Sequence, residues 1–205
     1  VEVSVNPEIF ERDGTHLIDR DIVDKFSAAR KWRPANSGAK RQRARVDPTR
    51  LQGSWVISDD SRAAMERCEL FQDLDRRQIM AVAALVEEAS FQPEDYLINE
   101  SGPAEYLYII TEGRAVAQVT MDHGWMSLGL IGPGEAAGWS SLIDSKLYPA
   151  SVKALTNMKV ARLESSGLRL LMNVDTGIGY PVQKRLSAIF CRQYEAALRT
   201  LKTAM

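Results

Sequence analysis

The sequence predicts an α+β fold in which helices come first, a run of short strands follows and helices close the chain. Two patterns carry that expectation. Between residues 91 and 163, short segments rich in β-branched and aromatic residues alternate with turns such as Glu112-Gly113 and His123-Gly124. Strands at that spacing point to an antiparallel sandwich or barrel. On either side of them, from Asp60 and again after Leu163, apolar residues recur at helical intervals. A chain of 205 residues with a hydrophobic fraction of 45% can bury a full core.

Residues 1–60 read as an extended arm or linker rather than an autonomous fold. Pro7, Gly14, Pro34, Gly38, Pro48 and Gly53 break the segment repeatedly, and only Leu17 to Trp32 has a helical stripe, through Leu17, Ile18, Ile22, Phe26 and Ala29. A basic stretch follows, in which Arg30, Lys31, Arg33, Lys40, Arg41, Arg43, Arg45 and Arg50 face only Asp47. Arginine suits bidentate contacts with carboxylates at protein interfaces. An arm of this kind pays its ordering entropy only when a partner is present. Arg30, Trp32, Arg33, Arg41, Arg43 and Arg45 are therefore the residues expected to meet a partner protein. Nucleic acid is the weaker reading, because no nucleic-acid module is recognisable and the net charge is only −1.

Residues 61–205 read as the folded domain. Ser58-Asp-Asp-Ser61 offers N-caps to a helix over Arg62–Cys68, and Leu70-Phe71 and Leu74 lead into a second helix, Arg76–Ser90. In that second helix Ile79, Val82, Leu85 and Val86 share a face. Strands are expected at Phe91, Tyr96–Ile98, Tyr106–Ile110, Ala115–Thr120, Met126–Leu130, Ser151–Ala154 and Lys159–Leu163. A short helix over Leu168–Met172 precedes a long amphipathic one from Tyr180 to about Thr203, with Leu186, Phe190, Tyr194, Ala197 and Leu201 as its stripe.

The most informative stretch is Ile131-Gly-Pro-Gly-Glu-Ala-Ala-Gly-Trp-Ser-Ser-Leu-Ile143. Its glycines and proline make a tight turn between strands. Loop glycines ahead of a short helix can also present backbone N–H groups to an anion.

Leu70-Phe71 and Leu74, Phe91 with Tyr96-Leu-Ile98 and Gly102, Leu107-Tyr-Ile-Ile with Gly113, and then Ile131-Gly-Pro-Gly-Glu with Gly138 occur in an order and spacing that resembles the cyclic nucleotide-binding domain. This is the jelly-roll-like β-roll of Crp/Fnr-type regulators, kinase regulatory subunits and gated channels, and the resemblance covers roughly residues 66–203. It implies that the stretch from Gly138 opens a phosphate-binding cassette, and that the long C-terminal helix caps the ligand or forms a dimer interface. By that resemblance the ligand-binding residues are Gly138, Trp139, Ser140, Ser141, Leu142, Tyr148, Pro149, Ala150 and Ser151.

Two departures put a cyclic nucleotide in doubt. The family's ribose-binding Glu is Trp139 here, and its phosphate-binding Arg is Tyr148, with Pro149 at the next position. A buried phosphate without its cation loses a charge-assisted contact worth on the order of 1.5–3 kcal/mol. Together such losses weaken binding by roughly a hundredfold or more. Trp139 and Tyr148 are expected to fill the cavity. Arg162 and Lys153 could replace the lost cation, but charged strand residues usually face water, and that is the expectation for both. Ser140, Ser141 and Ser151 still offer hydroxyls.

Cys68 and Cys191, and His16 and His123, lack metal-ligand spacing, so no metal is expected. Glu87-Glu88 and Asp59-Asp60 are sequence neighbours that diverge on a helix, and no nucleophile has a local signature, so no enzyme is expected. No run of about 18 apolar residues suggests a membrane span, and no leader is visible, which points to the cytoplasm. Because the chain stops at Met205, just past the long helix, a helix-turn-helix domain is not expected. The reading is a non-catalytic accessory or regulatory subunit without cofactor. It docks on a larger assembly, or on a second copy, through its arm and C-terminal helix. The alternative is a sensor that binds a cyclic nucleotide or other small anion and signals through that helix.

Overall fold

The computed structural model describes residues 57–143 and 145–204, without the side chains of Ala197, Thr200, Leu201, Thr203 and Ala204. Arg30, Trp32, Arg33, Arg41, Arg43 and Arg45, and the helix expected over Leu17–Trp32, lie outside the described residues.

The first helix, α1 (Asp59–Arg67), starts where the Ser58 hydroxyl accepts a hydrogen bond from the Ser61 amide. Asp59 and Asp60 sit in its first turn and Arg67 in its last, which complements the helix dipole. A short 3-10 turn, Glu69–Phe71, leads to α2 (Arg76–Ala83), closed at its start by a reciprocal Asp75/Gln78 capping box. Helix α2 ends seven residues before the expected Ser90. The chain becomes strand β1 (Val86–Phe91), because Val86–Phe91 pairs antiparallel with Leu163–Met158. Leu85 and Val86 continue the helical spacing of Ile79 and Val82, but the sheet pairing outweighs that local preference.

The other strands are β2 (Tyr96–Ile98), β3 (Tyr106–Glu112), β4 (Ala115–Met121), β5 (Gly124–Ile131), β6 (Ala136–Ala137), β7 (Ser151–Ala154) and β8 (Met158–Glu164). They form two antiparallel four-stranded sheets, in the orders β1-β8-β3-β6 and β2-β7-β4-β5. This is the α+β roll that the sequence predicted. Its interior holds Ala89, Phe91, Leu97, Ile98, Tyr108, Ile110, Ala137, Tyr148, Val152, Met158 and Val160. Strand β3 is buried on both faces. Tyr108 and Ile110 face the roll, while Leu107 and Ile109, both fully buried, face the helical side. Each such aliphatic side chain stabilises the fold by about 1.5–3 kcal/mol.

Helices α3 (Ser165–Val174) and α4 (Thr176–Ala204) follow β8. Pro181 stands inside the first turns of α4 and has no amide to offer the Gly177 carbonyl one turn earlier. The Gln78 side-chain amide donates to that carbonyl instead, at 3.1 Å. Ile178, Val182 and Leu186 bury the first half of the helix. Arg185 pairs with Asp73 and Arg192 with Glu69, so α4 is tied to the turn between α1 and α2.

Candidate functional site

The candidate site is the turn from β6 into the short 3-10 helix Trp139–Leu142, together with the segment that returns to β7. Gly138 caps that helix in a left-handed conformation, φ 79°. A Cβ there would stand 2.8 Å from the Tyr106 carbonyl oxygen and 3.2 Å from Cε1 of Tyr148, so only glycine fits. The same contacts show the Tyr148 ring lying directly against the turn.

Tyr148 is 7% exposed and belongs to the roll's core. Its hydroxyl donates to the Tyr106 carbonyl at 2.6 Å and accepts from the Tyr106 amide at 2.9 Å. The reason lies in the sheet register. Ser165 donates to the Glu105 carbonyl, which leaves the Tyr106 amide and carbonyl on the side away from β8, and β6 reaches only Tyr108 and Ile109. The phenol takes over where β6 stops. The Tyr148 backbone is also fixed, donating to the Gly102 carbonyl and accepting from the Ser101 amide, both at 2.9 Å. Burial pushes the Tyr148 phenol well above its ordinary range, against the smaller opposing pull of its hydrogen bond to Tyr106. It is therefore neutral at physiological pH and brings no charge to the site.

Trp139 takes a different course from the expected cavity filler. It is half-buried, and its ring meets Phe190 of α4 edge-on, with centroids 4.6 Å apart and planes at 81°. This joins the turn to the long helix. The serines are engaged elsewhere. The Ser141 hydroxyl accepts from Ser165 at 2.6 Å, its carbonyl accepts from Arg169 at 2.8 Å, and its amide donates to the Gly138 carbonyl at 2.9 Å. The Ser151 hydroxyl accepts from the Glu100 amide at 2.9 Å. Ser140 and Leu142 are buried, Ala150 is half-buried and Pro149 is exposed.

Of the two cations weighed as substitutes, Lys153 lies opposite the core-facing Val152 and Ala154 and pairs with Glu94 at 2.5 Å. Arg162 corrects the expectation that both face water. It shares the face of β8 that carries Met158 and Val160 into the roll, and its side chain is only 14% exposed. It is held between Glu87 on β1 and Tyr108 on β3, its register partners, with Nη2 donating to Glu87 Oε2 at 2.6 Å. Its guanidinium carbon lies 4.5 Å from the centre of the Tyr106 ring. Among the described residues no group of three or more His, Cys, Asp or Glu is placed to hold a metal ion.

Comparison with known proteins agrees with this architecture. Residues 88–175 match the family described as cyclic nucleotide-binding domain. Curated relatives include an uncharacterized NTE family protein of Mycobacterium tuberculosis, 27% identical over 124 residues, which cover 55% of this chain and 21% of that protein. The cAMP-dependent protein kinase regulatory subunit of Emericella nidulans is 28% identical over 110 residues, which cover 54% of this chain and 26% of that protein. The chain thus spans about a quarter or less of the length of the curated relatives it matches.

Among solved structures, the N-terminal domain of a transcriptional regulator from Streptomyces coelicolor aligns with a TM-score of 0.57 and 28% identity, over 65% of this chain and 96% of that one. The catabolite activator protein of Thermus thermophilus has a TM-score of 0.58 at 22% identity, covering 66% and 62%. The regulatory subunit of a cAMP-independent protein kinase A from Trypanosoma brucei gives 0.57 at 23%, covering 68% and 49%. A triple mutant of that subunit, described as bound to cAMP in the A site, gives 0.56 at 24% with the same coverage.

Residues 88–175 thus match the cyclic nucleotide-binding domain family, and the roll has the fold of the solved regulators named above. Within that class, this chain has a tyrosine locked to its own backbone where the resemblance places the phosphate-binding arginine. No helix among the described residues is long and apolar enough to cross a membrane.

Proposed function

We propose that the chain is a non-catalytic regulatory or accessory module whose roll serves as a docking scaffold and holds no cyclic nucleotide. The observation that carries this reading is the satisfied state of Tyr148. Its phenol and backbone are fully engaged by Ser101, Gly102 and Tyr106, so a phosphate arriving there would meet an uncharged ring. Desolvating a phosphate without a cation is costly. The Trypanosoma relative, named as cAMP-independent, and its cAMP-bound mutant, one of whose changes introduces an arginine, lend the reading support by analogy.

Residues 1–60 form the docking arm in this proposal, with Arg30, Trp32, Arg33, Arg41, Arg43 and Arg45 meeting acidic groups on a partner in the cytoplasm. The far end of α4 forms the second contact, towards the partner or a second copy. There Tyr194 and Leu198 are exposed beyond the Arg192–Glu69 pair. Calorimetric titration of the full chain with cAMP and cGMP tests the ligand-free reading. Kd values weaker than about 1 mM are expected, and micromolar binding of either ligand refutes it. Deleting residues 1–56 should release a partner that the full chain retains at native expression level; retention by the truncated chain refutes the arm's role.

One contact favours the sensor reading as a second possibility. Trp139 sits in the turn and touches Phe190, so an occupant that displaced Trp139 would act directly on α4. Saturable binding of any small anion that also shifts the Trp139 environment would bring this reading forward.

A further inference from the structure

We propose that the Nε edge of Arg162, walled by Tyr106 and Tyr108, is an anion subsite that takes a small oxyanion, a carboxylate or a phosphate. The inference does not depend on the cassette being closed to cyclic nucleotides.

The strand positions come first. Arg162 lies on an inner strand of its sheet, flanked by Glu87 and Tyr108 in register, and points into the roll rather than away from it. One face of its guanidinium rests on Tyr106. Glu87 accepts the hydrogen bond from Nη2. The Nε atom is buried and has no acceptor, and it is the one buried side-chain polar atom so placed among the described residues. A buried N–H of a permanent cation without an acceptor costs more than an ordinary unpaired donor, and folded proteins seldom leave one.

The chemistry of the surroundings says what is missing. Burial raises the phenols of Tyr106 and Tyr108, the latter to about 12, while Arg162 pulls both the other way. Both phenols stay protonated at neutral pH and can donate. The guanidinium edge beside them has one buried donor left over and asks for an acceptor. The Nε–Nη edge of arginine matches two oxygens of one carboxylate or phosphate in a fork that lysine cannot reproduce. Glu87 is 55% exposed, so it can give way at little cost when a second anion arrives. The exposed carboxylates of Glu105 and Glu164 also act on these tyrosines, which limits the subsite to small anions of low charge.

The test is the Nε–Hε resonance of Arg162 in the full-length, nitrogen-15-labelled chain. Sodium acetate and inorganic phosphate are titrated separately against chloride at matched ionic strength and constant pH. A saturable shift of that resonance with either anion is expected, and the anion giving the lower midpoint identifies the preferred oxyanion. Glu87→Gln removes the competing carboxylate and should tighten the midpoint by about tenfold. Arg162→Lys keeps the charge but loses the fork, and should abolish saturable binding as read by thermal stabilisation. No saturable shift with either anion, in the wild type or in Glu87→Gln, overturns the proposal. So does binding that survives in Arg162→Lys. If Arg162→Lys does not fold, the Glu87→Gln titration decides by itself.

Discussion

Replacing Tyr148 by Phe tests the structural role of the tyrosine with little change of volume. The ring stays, and only the hydroxyl that donates to the Tyr106 carbonyl and accepts from the Tyr106 amide is removed. Neither backbone group has β8 or β6 to turn to, since β8 pairs on the other side and β6 ends at Tyr108. Leaving a buried donor or acceptor unpaired costs about 1–3 kcal/mol. Two such groups, partly rehydrated at the end of the strand, give an expected destabilisation of about 2–4 kcal/mol. For a folded unit of this size, each kcal/mol lowers Tm by roughly 2–4 °C. Urea denaturation with an unchanged m value, alongside a thermal melt, reads the effect. A loss below about 0.5 kcal/mol would show that water or another group already serves Tyr106, and that the phenol is not the lock described above.

Two further outcomes follow from the packing and charges. Trp139→Ala and Phe190→Ala, alone and together, should reveal a coupling of about 0.5–1.5 kcal/mol in a double-mutant cycle, as an edge-on aromatic pair provides; additive losses would mean that the turn and α4 are not joined. The Asp73 carboxyl is held below its ordinary range, first by the hydrogen bond from Arg185. A carboxylate lowered in this way contributes stability above the unfolded value near 3.8 and loses it as pH falls through the lower folded value. The acid limb of the wild-type stability curve, below about pH 4, should therefore be steeper than that of Asp73→Asn, and identical limbs would contradict the pairing.

Much of the roll was legible because strands of alternating character carry their turns with them. Glu112-Gly113 marked the turn that carries the chain from β3 in one sheet to β4 in the other, His123-Gly124 marked the β4–β5 hairpin, and Gly138 marked the left-handed cap before the short helix. The departures at Trp139 and Tyr148 were legible too, but not where the two rings go. Trp139 meets a residue on α4, and nothing local fixes the azimuth of that helix. Strand β1 read as helix because Val86 fits both periods, and only its partner β8 decides between them. Arg162 was the larger miss. Its inward direction is made tolerable by Glu87, 75 residues earlier, and by the face of Tyr106, and neither partner can be seen from the segment around it. The Gln78 bond to the carbonyl freed by Pro181 is likewise a meeting of distant segments.

Calorimetric titration of cAMP into Trp139→Glu/Tyr148→Arg, set beside the wild type, bears most directly on the claim that a neutral, self-satisfied tyrosine has replaced the phosphate clamp. Restoring one cation and one ribose acceptor should tighten binding by roughly a hundredfold, from undetectable to the micromolar range. Wild-type chain that already binds cAMP at micromolar concentration, with no gain from the two substitutions, would contradict it.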